Sequence, residues 1–91
     1  MLLNVHTTGV HSLAEHSFKL LAINQRVRSA ATLNMHATSV TSCAVACAEC
    51  NICDVFNVGE AVDNVRTCEA ARFDETGVLV DGPSWKVFSG T

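Results

Sequence analysis

The sequence has few charged residues, no long apolar run and no excess of basic residues, and each of these absences argues against a class of protein. Only 16% of the 91 residues are charged while 48% are hydrophobic, a balance typical of a compact globular fold and not of a disordered tail. Nine acidic residues against six basic ones give a net charge of −3, which argues against nucleic-acid binding because neutralising phosphates requires a basic surface. No apolar run approaches the roughly 20 residues that cross a bilayer. We therefore expect one small domain without membrane insertion.

Recognisable catalytic patterns are also missing. The sequence contains no His-Glu-x-x-His, Gly-x-Gly-x-x-Gly or phosphate-loop pattern and no Ser-His-Asp arrangement. We therefore predict that the protein is not an enzyme and that it uses no cofactor. A secretory signal is not visible either, since Asn4 and His6 interrupt the opening apolar residues.

The distribution of apolar and hydroxyl residues predicts several strands and one helix. Ser39 and Thr41 precede an alanine-rich run and are suitable helix N-caps, so a helix is expected over about 40–49. The twelve valines, mostly outside this run, favour strands. Strands are expected at 17–27, 53–58, 67–73, 78–80 and 84–89, with 29–35 as a hairpin partner of the first. Residues 1–16 have a weak pattern and are predicted to be an N-terminal leader, followed by a domain over 17–91.

Five cysteines in so short a chain indicate disulfides or a metal site. Their order is Cys43, Cys47, Cys50, Cys53 and Cys68. If four of them pair, fifteen arrangements are open. Alternatives are a zinc site made of four thiolates and reduced, buried thiols. The Cys50-Asn51-Ile52-Cys53 segment is formally a CxxC motif, but it lacks the strand-to-helix context of thiol oxidoreductases.

Three segments together form a distinctive pattern: Ser42-Cys43-Ala44-x2-Cys47, Cys53-x2-Phe56-Asn57 and Thr67-Cys68-Glu69. This pattern resembles the PAN/apple domain superfamily, and a late aromatic strand with Trp85 and Phe88 fits as well. The similarity covers about residues 17–90 and is most specific at 42–73. Because there is no cysteine before 43 or after 68, the chain resembles a plain PAN module without the terminal bridge of apple domains.

The resemblance implies a fold and a pairing. The fold is α+β, a curved antiparallel sheet of about five strands with one short helix packed across it. The implied disulfides are Cys43–Cys68 and Cys47–Cys53. Cys50 would then be a free thiol or form an intermolecular bond, which allows self-association or a covalent partner.

The resemblance also implies a function, that of a secreted, extracellular binding module for protein or carbohydrate ligands within a larger adhesive or receptor-like assembly. Arg26, Arg28 and Trp85 are weak candidates for ligand contacts, because two arginines on one strand can form a cationic spot and tryptophan can stack on a sugar. No metal ligands are assigned. Two alternatives remain open: a structural subunit of an extracellular filament or coat, and a small metal-binding domain.

Overall fold

The protein is an α+β domain in which one short helix lies across a curved antiparallel sheet. The computed structural model describes residues 2–8, 13–28, 33–50, 52–72 and 79–90. In chain order the elements are β1 (Leu2–Thr8), β2 (Leu13–Val27), β3 (Leu33–Ala37), α1 (Val40–Glu49), β4 (Val55–Val58), β5 (Arg66–Ala71) and β6 (Leu79–Gly90). The predicted fold class is confirmed, with six strands in the sheet order β1-β2-β6-β4-β5-β3 in place of about five.

Residues 2–8 and 13–16, which were predicted to precede the domain, belong to strands of the sheet. β1 pairs antiparallel with β2 from Leu2 opposite Lys19 to Thr8 opposite Leu13. Val5 is buried in the main core and Leu3 packs against it, so β1 is attached to the core by apolar side chains two residues apart. The predicted boundary between residues 16 and 17 is therefore wrong, because it falls inside β2.

β3 also has a partner that differs from the predicted one. The expected hairpin joined residues 29–35 to the strand at 17–27, whereas β3 pairs with β5, with Met35 opposite Cys68. Residues 29–32 of that prediction lie outside the described part of the chain. β3 is thus an edge strand of the sheet, and only two residues, Thr38 and Ser39, connect it to α1.

The two strands predicted at 78–80 and 84–89 are one continuous strand, β6, with an irregularity in its middle. Its pairing with β2 passes from Ile23–Lys86 directly to Gln25–Asp81. Asn24 and Ser84 both have positive φ angles, 56° and 68°, and the Ser84 N–H donates to Asn24 Oδ1 at 3.1 Å. The residues between the two predicted strands are therefore part of a bulge within β6.

α1 begins and ends as predicted. Ser39 is the N-cap, and its hydroxyl accepts a hydrogen bond from the Ser42 N–H at 3.1 Å. The helix buries Cys43, Ala44 and Cys47, three small residues that allow a close approach to the sheet. A membrane span of 18 or more apolar residues is not found in any helix of the described ranges.

The main core lies between α1 and the sheet and is centred on three phenylalanines. The Phe56 and Phe88 rings are stacked with centroids 5.0 Å apart, and Phe18 meets Phe56 edge-to-face at 5.2 Å. A second, smaller core contains Val27, Val55, Ala71 and Val87. Since Val55 and Phe56 are adjacent on one strand, the two cores lie on opposite faces of the sheet.

A polar network bridges β2 to the strands of the second core. Asn57 on β4 is buried; its Oδ1 accepts from the Val27 N–H at 2.8 Å and its Nδ2 donates to the Val27 carbonyl at 3.2 Å. β6 lies between β2 and β4 in the sheet order. The end of β2 therefore reaches β4 only because the sheet curves over this face.

Candidate functional site

The C-terminal end of α1 is shaped by a tight turn closed by a disulfide. Cys50 caps the helix, and its N–H donates to the Ala46 and Cys47 carbonyls, both at 3.2 Å. The Cys53 N–H then donates to the Cys50 carbonyl at 3.2 Å. These bonds turn the chain back, so that the Cα atoms of Cys50 and Cys53 are 5.4 Å apart and their sulfur atoms are bonded.

The observed cysteine pairing agrees with the implied one in part. Cys43 is bonded to Cys68, with Cα atoms 5.7 Å apart, as the resemblance implied. Cys53 is bonded to Cys50 and not to Cys47, which is a buried free thiol. The expected Cys47–Cys53 bridge and the free or intermolecular Cys50 are therefore corrected. Since its sulfur is used within the chain, Cys50 offers no covalent link to a partner.

The reason for the difference is the direction in which each side chain leaves the helix. Cys47 lies one turn beyond Cys43 and faces the same core, where its thiol donates to the Val55 carbonyl with a sulfur–oxygen distance of 3.7 Å. Cys50 lies at the last turn, where the chain reverses. The CxxC spacing after a predicted helix end was the sequence signal for this pairing, but the family resemblance selected another.

Burial also sets the chemistry of the remaining thiol. It raises the pKa of Cys47 from 9.0 to about 12, and the negative charge of Asp54 adds to the effect. At neutral pH the Cys47 thiol is therefore protonated. Only the thiolate form of cysteine acts as a nucleophile or metal ligand, so the protonated thiol is unreactive.

The position of the CxxC disulfide favours a structural role. Reactive CxxC cysteines are activated at helix N-termini, where the helix dipole stabilises a thiolate. Cys50 lies instead at a helix C-terminus, beside the exposed Glu49 and with no basic residue in the last turn. This environment disfavours the thiolate and therefore the reduced, reactive form.

An open cleft of about 510 Å³ lies beside this disulfide. Residues from four parts of the fold line it: the start of β2, the end of α1, the turn before β4 and the end of β6. They are Glu15, His16, Ser17, Phe18, Ala48, Cys50, Cys53, Asp54 and Gly90. No local sequence pattern indicates this combination, because its members are brought together only by the sheet.

Hydrogen bonds from neighbouring strands position the lining. His6 Nε2 lies 3.2 Å from Glu15 Oε2, and the Thr7 hydroxyl lies 3.2 Å from His16 Nε2, so β1 orients two of the lining side chains. The Gly90 N–H donates to the Asp54 carbonyl at 2.7 Å, which joins the end of β6 to the turn. The predicted leader thus helps to form the cleft.

The chemistry of the cleft suits binding. Its lining residues carry two carboxylates, an imidazole and a hydroxyl group. The Ser17 hydroxyl donates to Asn4 Oδ1 at 2.7 Å, and the Glu15 carboxylate contacts His6. Carboxylate oxygens can also accept hydrogen bonds from ligand hydroxyl or ammonium groups. Within the described ranges no three His, Cys, Asp or Glu side chains are grouped so as to hold a metal ion. Four of the five cysteines are in disulfides, so the four-thiolate zinc alternative is not formed.

The three predicted contact residues lie elsewhere. Arg26 Nη2 donates to both carboxylate oxygens of Glu69, at 2.6 and 2.7 Å, and the Arg26 guanidinium carbon is 4.3 Å from the ring centroid of Trp85. Arg28 is exposed just beyond β2. None of these three residues lines the cleft. The structure places Arg26 against Trp85, but the Glu69 carboxylate already neutralises the positive charge of Arg26.

Comparison with known proteins gives no relatives: no family model, no curated protein and no solved structure matches the chain. Two disulfides in a small domain are compatible with an extracellular location.

Proposed function

We propose that the protein is a non-enzymatic, extracellular, PAN-like binding module that recognises a protein or carbohydrate ligand within a larger adhesive or receptor-like assembly. The observation that carries this proposal is the cleft of about 510 Å³ beside the Cys50–Cys53 disulfide. Its polar lining is held in place by strand pairing and by sulfur bonds. Such a preformed site loses little entropy when a ligand binds.

The disulfides support the extracellular part of the proposal. Disulfides persist in oxidising compartments and are rare in reducing ones. Each bond removes two hydrogen atoms, so the two bonds predict that protein from its native source has a mass four hydrogens below that of the reduced chain. One thiol should react with an alkylating agent only after unfolding. A fully reduced chain from the native source would contradict the proposal.

Ligand binding is tested on a glycan array and on a panel of extracellular protein domains, with a matched pair of variants. Glu15→Gln removes a carboxylate of the cleft, while Glu60→Gln makes the same change at an exposed position away from it. A ligand of the cleft should bind at least about tenfold more weakly to Glu15→Gln, the effect of one charged hydrogen bond. It should bind Glu60→Gln unchanged. Absence of any ligand, or equal loss in both variants, would refute the proposal.

A structural subunit of an extracellular filament or coat is the second candidate. The observation that favours it is the pair of edge strands, β1 and β3. Neither strand contains Lys, Arg, Asp, Glu or Pro, the residues that usually protect sheet edges from pairing with other chains. Sedimentation velocity over a range of concentrations decides it, because a subunit must form open-ended assemblies and a binding module stays monomeric.

A further inference from the structure

A groove lies between the edge strand β3 and the C-terminal half of α1. Its volume is about 400 Å³, and it is lined by Leu33 and Met35 from β3 and by Ala46, Glu49 and Cys50 from the helix. Only two residues connect β3 to α1. The lining residues come from the first part of β3 and the second half of α1, so the groove is formed by the parts of both elements that are farther along the chain from this connection.

The β3 backbone is well suited to pair with an additional strand. β3 pairs with β5 over five consecutive positions with no bulge, and it is the last strand of the sheet. One edge of its backbone is thus bonded to β5, and no other described strand pairs with the second edge. An edge strand next to a helix, with a groove between them, is the geometry in which an extended peptide adds to a sheet.

The helix is held at a fixed position beside this groove. Cys43 is bonded to Cys68 on β5, the residue that pairs with Met35. The Cys50–Cys53 bond fixes the other end of α1. The groove is consequently preformed, and a ligand need not separate the helix from the sheet.

The charge at the C-terminal end of α1 indicates what kind of peptide fits. Glu49 is exposed in the last turn of α1, which contains no basic residue. The C-terminus of a helix carries a partial negative charge, so this end has two sources of negative potential. The floor of the groove is formed largely by apolar side chains. A ligand that matches both features has alternating apolar residues and a Lys or Arg near Glu49.

We propose that β3 and α1 bind an extended segment of a partner polypeptide, which adds to the sheet as a strand beside β3 and places a basic side chain against Glu49. This inference rests on the proposed binding function and names a surface and a ligand class for it. The polar cleft beside the disulfide is a separate site on this chain.

The test begins with a displayed library of random octapeptides selected on the folded, oxidised protein. Enriched sequences should alternate apolar and polar residues and carry Lys or Arg toward one end. The best of them is then synthesised with blocked ends. In one derivative the amides of the odd positions are N-methylated, and in the other those of the even positions.

Strand addition predicts different results for the two derivatives, because only alternate amides of an added strand bond to the edge. One derivative should bind at least about tenfold more weakly, and the other should bind like the parent peptide. Equal loss or equal retention would overturn the proposal. This comparison uses the unmodified protein, so a folding defect cannot explain it.

A pair of charge-reversal variants tests the basic contact. Glu49→Lys should weaken peptide binding about tenfold, although a lysine at a helix C-terminus stabilises the fold. Glu60→Lys makes the same change in net charge at another exposed position and should have no effect. Equal affinity in both variants, or dimers that Glu49→Lys alone disrupts, would overturn the proposal. If no peptide is enriched while a ligand of the cleft is found, the proposed function stands and this inference fails.

Discussion

The Asn57 side chain links β4 to β2, two strands that are separated in the sheet order by β6. Its amide makes both hydrogen bonds to the backbone of Val27 and a further one to Glu69 Oε1 at 3.3 Å. Only 4% of Asn57 is exposed, so water cannot replace its amide as the hydrogen-bond partner of these groups. Arg26 contacts the same Glu69, which extends the network to the edge of the second core.

Replacing Asn57 by alanine should therefore destabilise the protein far more than its size suggests. Asn57→Ala leaves the N–H and carbonyl of Val27 without partners in a buried place, and we expect it to lower the free energy of unfolding by about 3 kcal/mol. Asn34→Ala, at an exposed position of β3, should change it by less than about 0.5 kcal/mol. Guanidinium unfolding of both variants checks this, and equal losses would contradict the role given to the network.

Cys47 makes stability depend on alkaline pH. Its pKa is about 12 in the folded protein and 9.0 as an unperturbed thiol, so the folded state retains a proton that the unfolded state releases between these values. The contribution is fully present below pH 9 and is lost as the pH rises toward 12, by up to about 1.4 kcal/mol per pH unit.

The matched variant for this prediction is Cys47→Ala, in which the alkaline loss should be smaller. The comparison is unusually clear because the sequence contains no tyrosine, and its two lysines, Lys19 and Lys86, are exposed. Short unfolding measurements at pH 8, 9 and 10 suffice. Parallel curves for the wild type and the variant would show that the thiol is not protected by folding.

At the scale of elements, the two disulfides do different work. Cys43–Cys68 joins the helix to β5 across 25 positions of sequence, while Cys50–Cys53 closes a turn with a separation of three. In the chain-entropy description, a longer loop gives a larger restriction of the unfolded chain: about 3.5 kcal/mol for the first bond and about 1.9 kcal/mol for the second.

We therefore expect Cys43→Ala/Cys68→Ala to lower the free energy of unfolding by more than Cys50→Ala/Cys53→Ala does. The measured quantity is the guanidinium midpoint of each double variant under non-reducing conditions. Cys47 is unchanged in both variants, so its own contribution to stability does not distinguish them. The reverse order would mean that the turn, and not the attachment of α1 to β5, limits stability.

Element boundaries followed from local chemistry where the signals were local. Ser39 and the alanine-rich run specify α1 correctly, because capping and helix propensity depend on neighbouring residues. The pairing of β3 with β5 could not be predicted in this way, since it depends on which strand completes the sheet beside the helix. The same limit applies to β6. Its bulge is accommodated by Asn24 of β2, so the residues of β6 alone do not show that the strand is continuous.

At the scale of the whole molecule, the sequence predicted the architecture better than the candidate site. The α+β class and the attachment of the helix through Cys43 and Cys68 were expected, whereas the cleft depends on β1, which was expected to lie outside the domain. Glu15 and Asp54 are 39 positions apart and line one cleft only because the fold brings the start of β2 near the turn before β4. Residues selected for charge or aromaticity, Arg26 and Trp85, contact each other instead.

Cys50 lines both the polar cleft and the groove beside β3, so a single residue forms part of the wall of each. A reductant that broke the bond between Cys50 and Cys53 would release this shared wall and change the shape of the cleft and the groove together. The bond between Cys43 and Cys68 would meanwhile keep the helix seated on the sheet. Reducing conditions would thus change ligand binding at this surface before they unfold the protein.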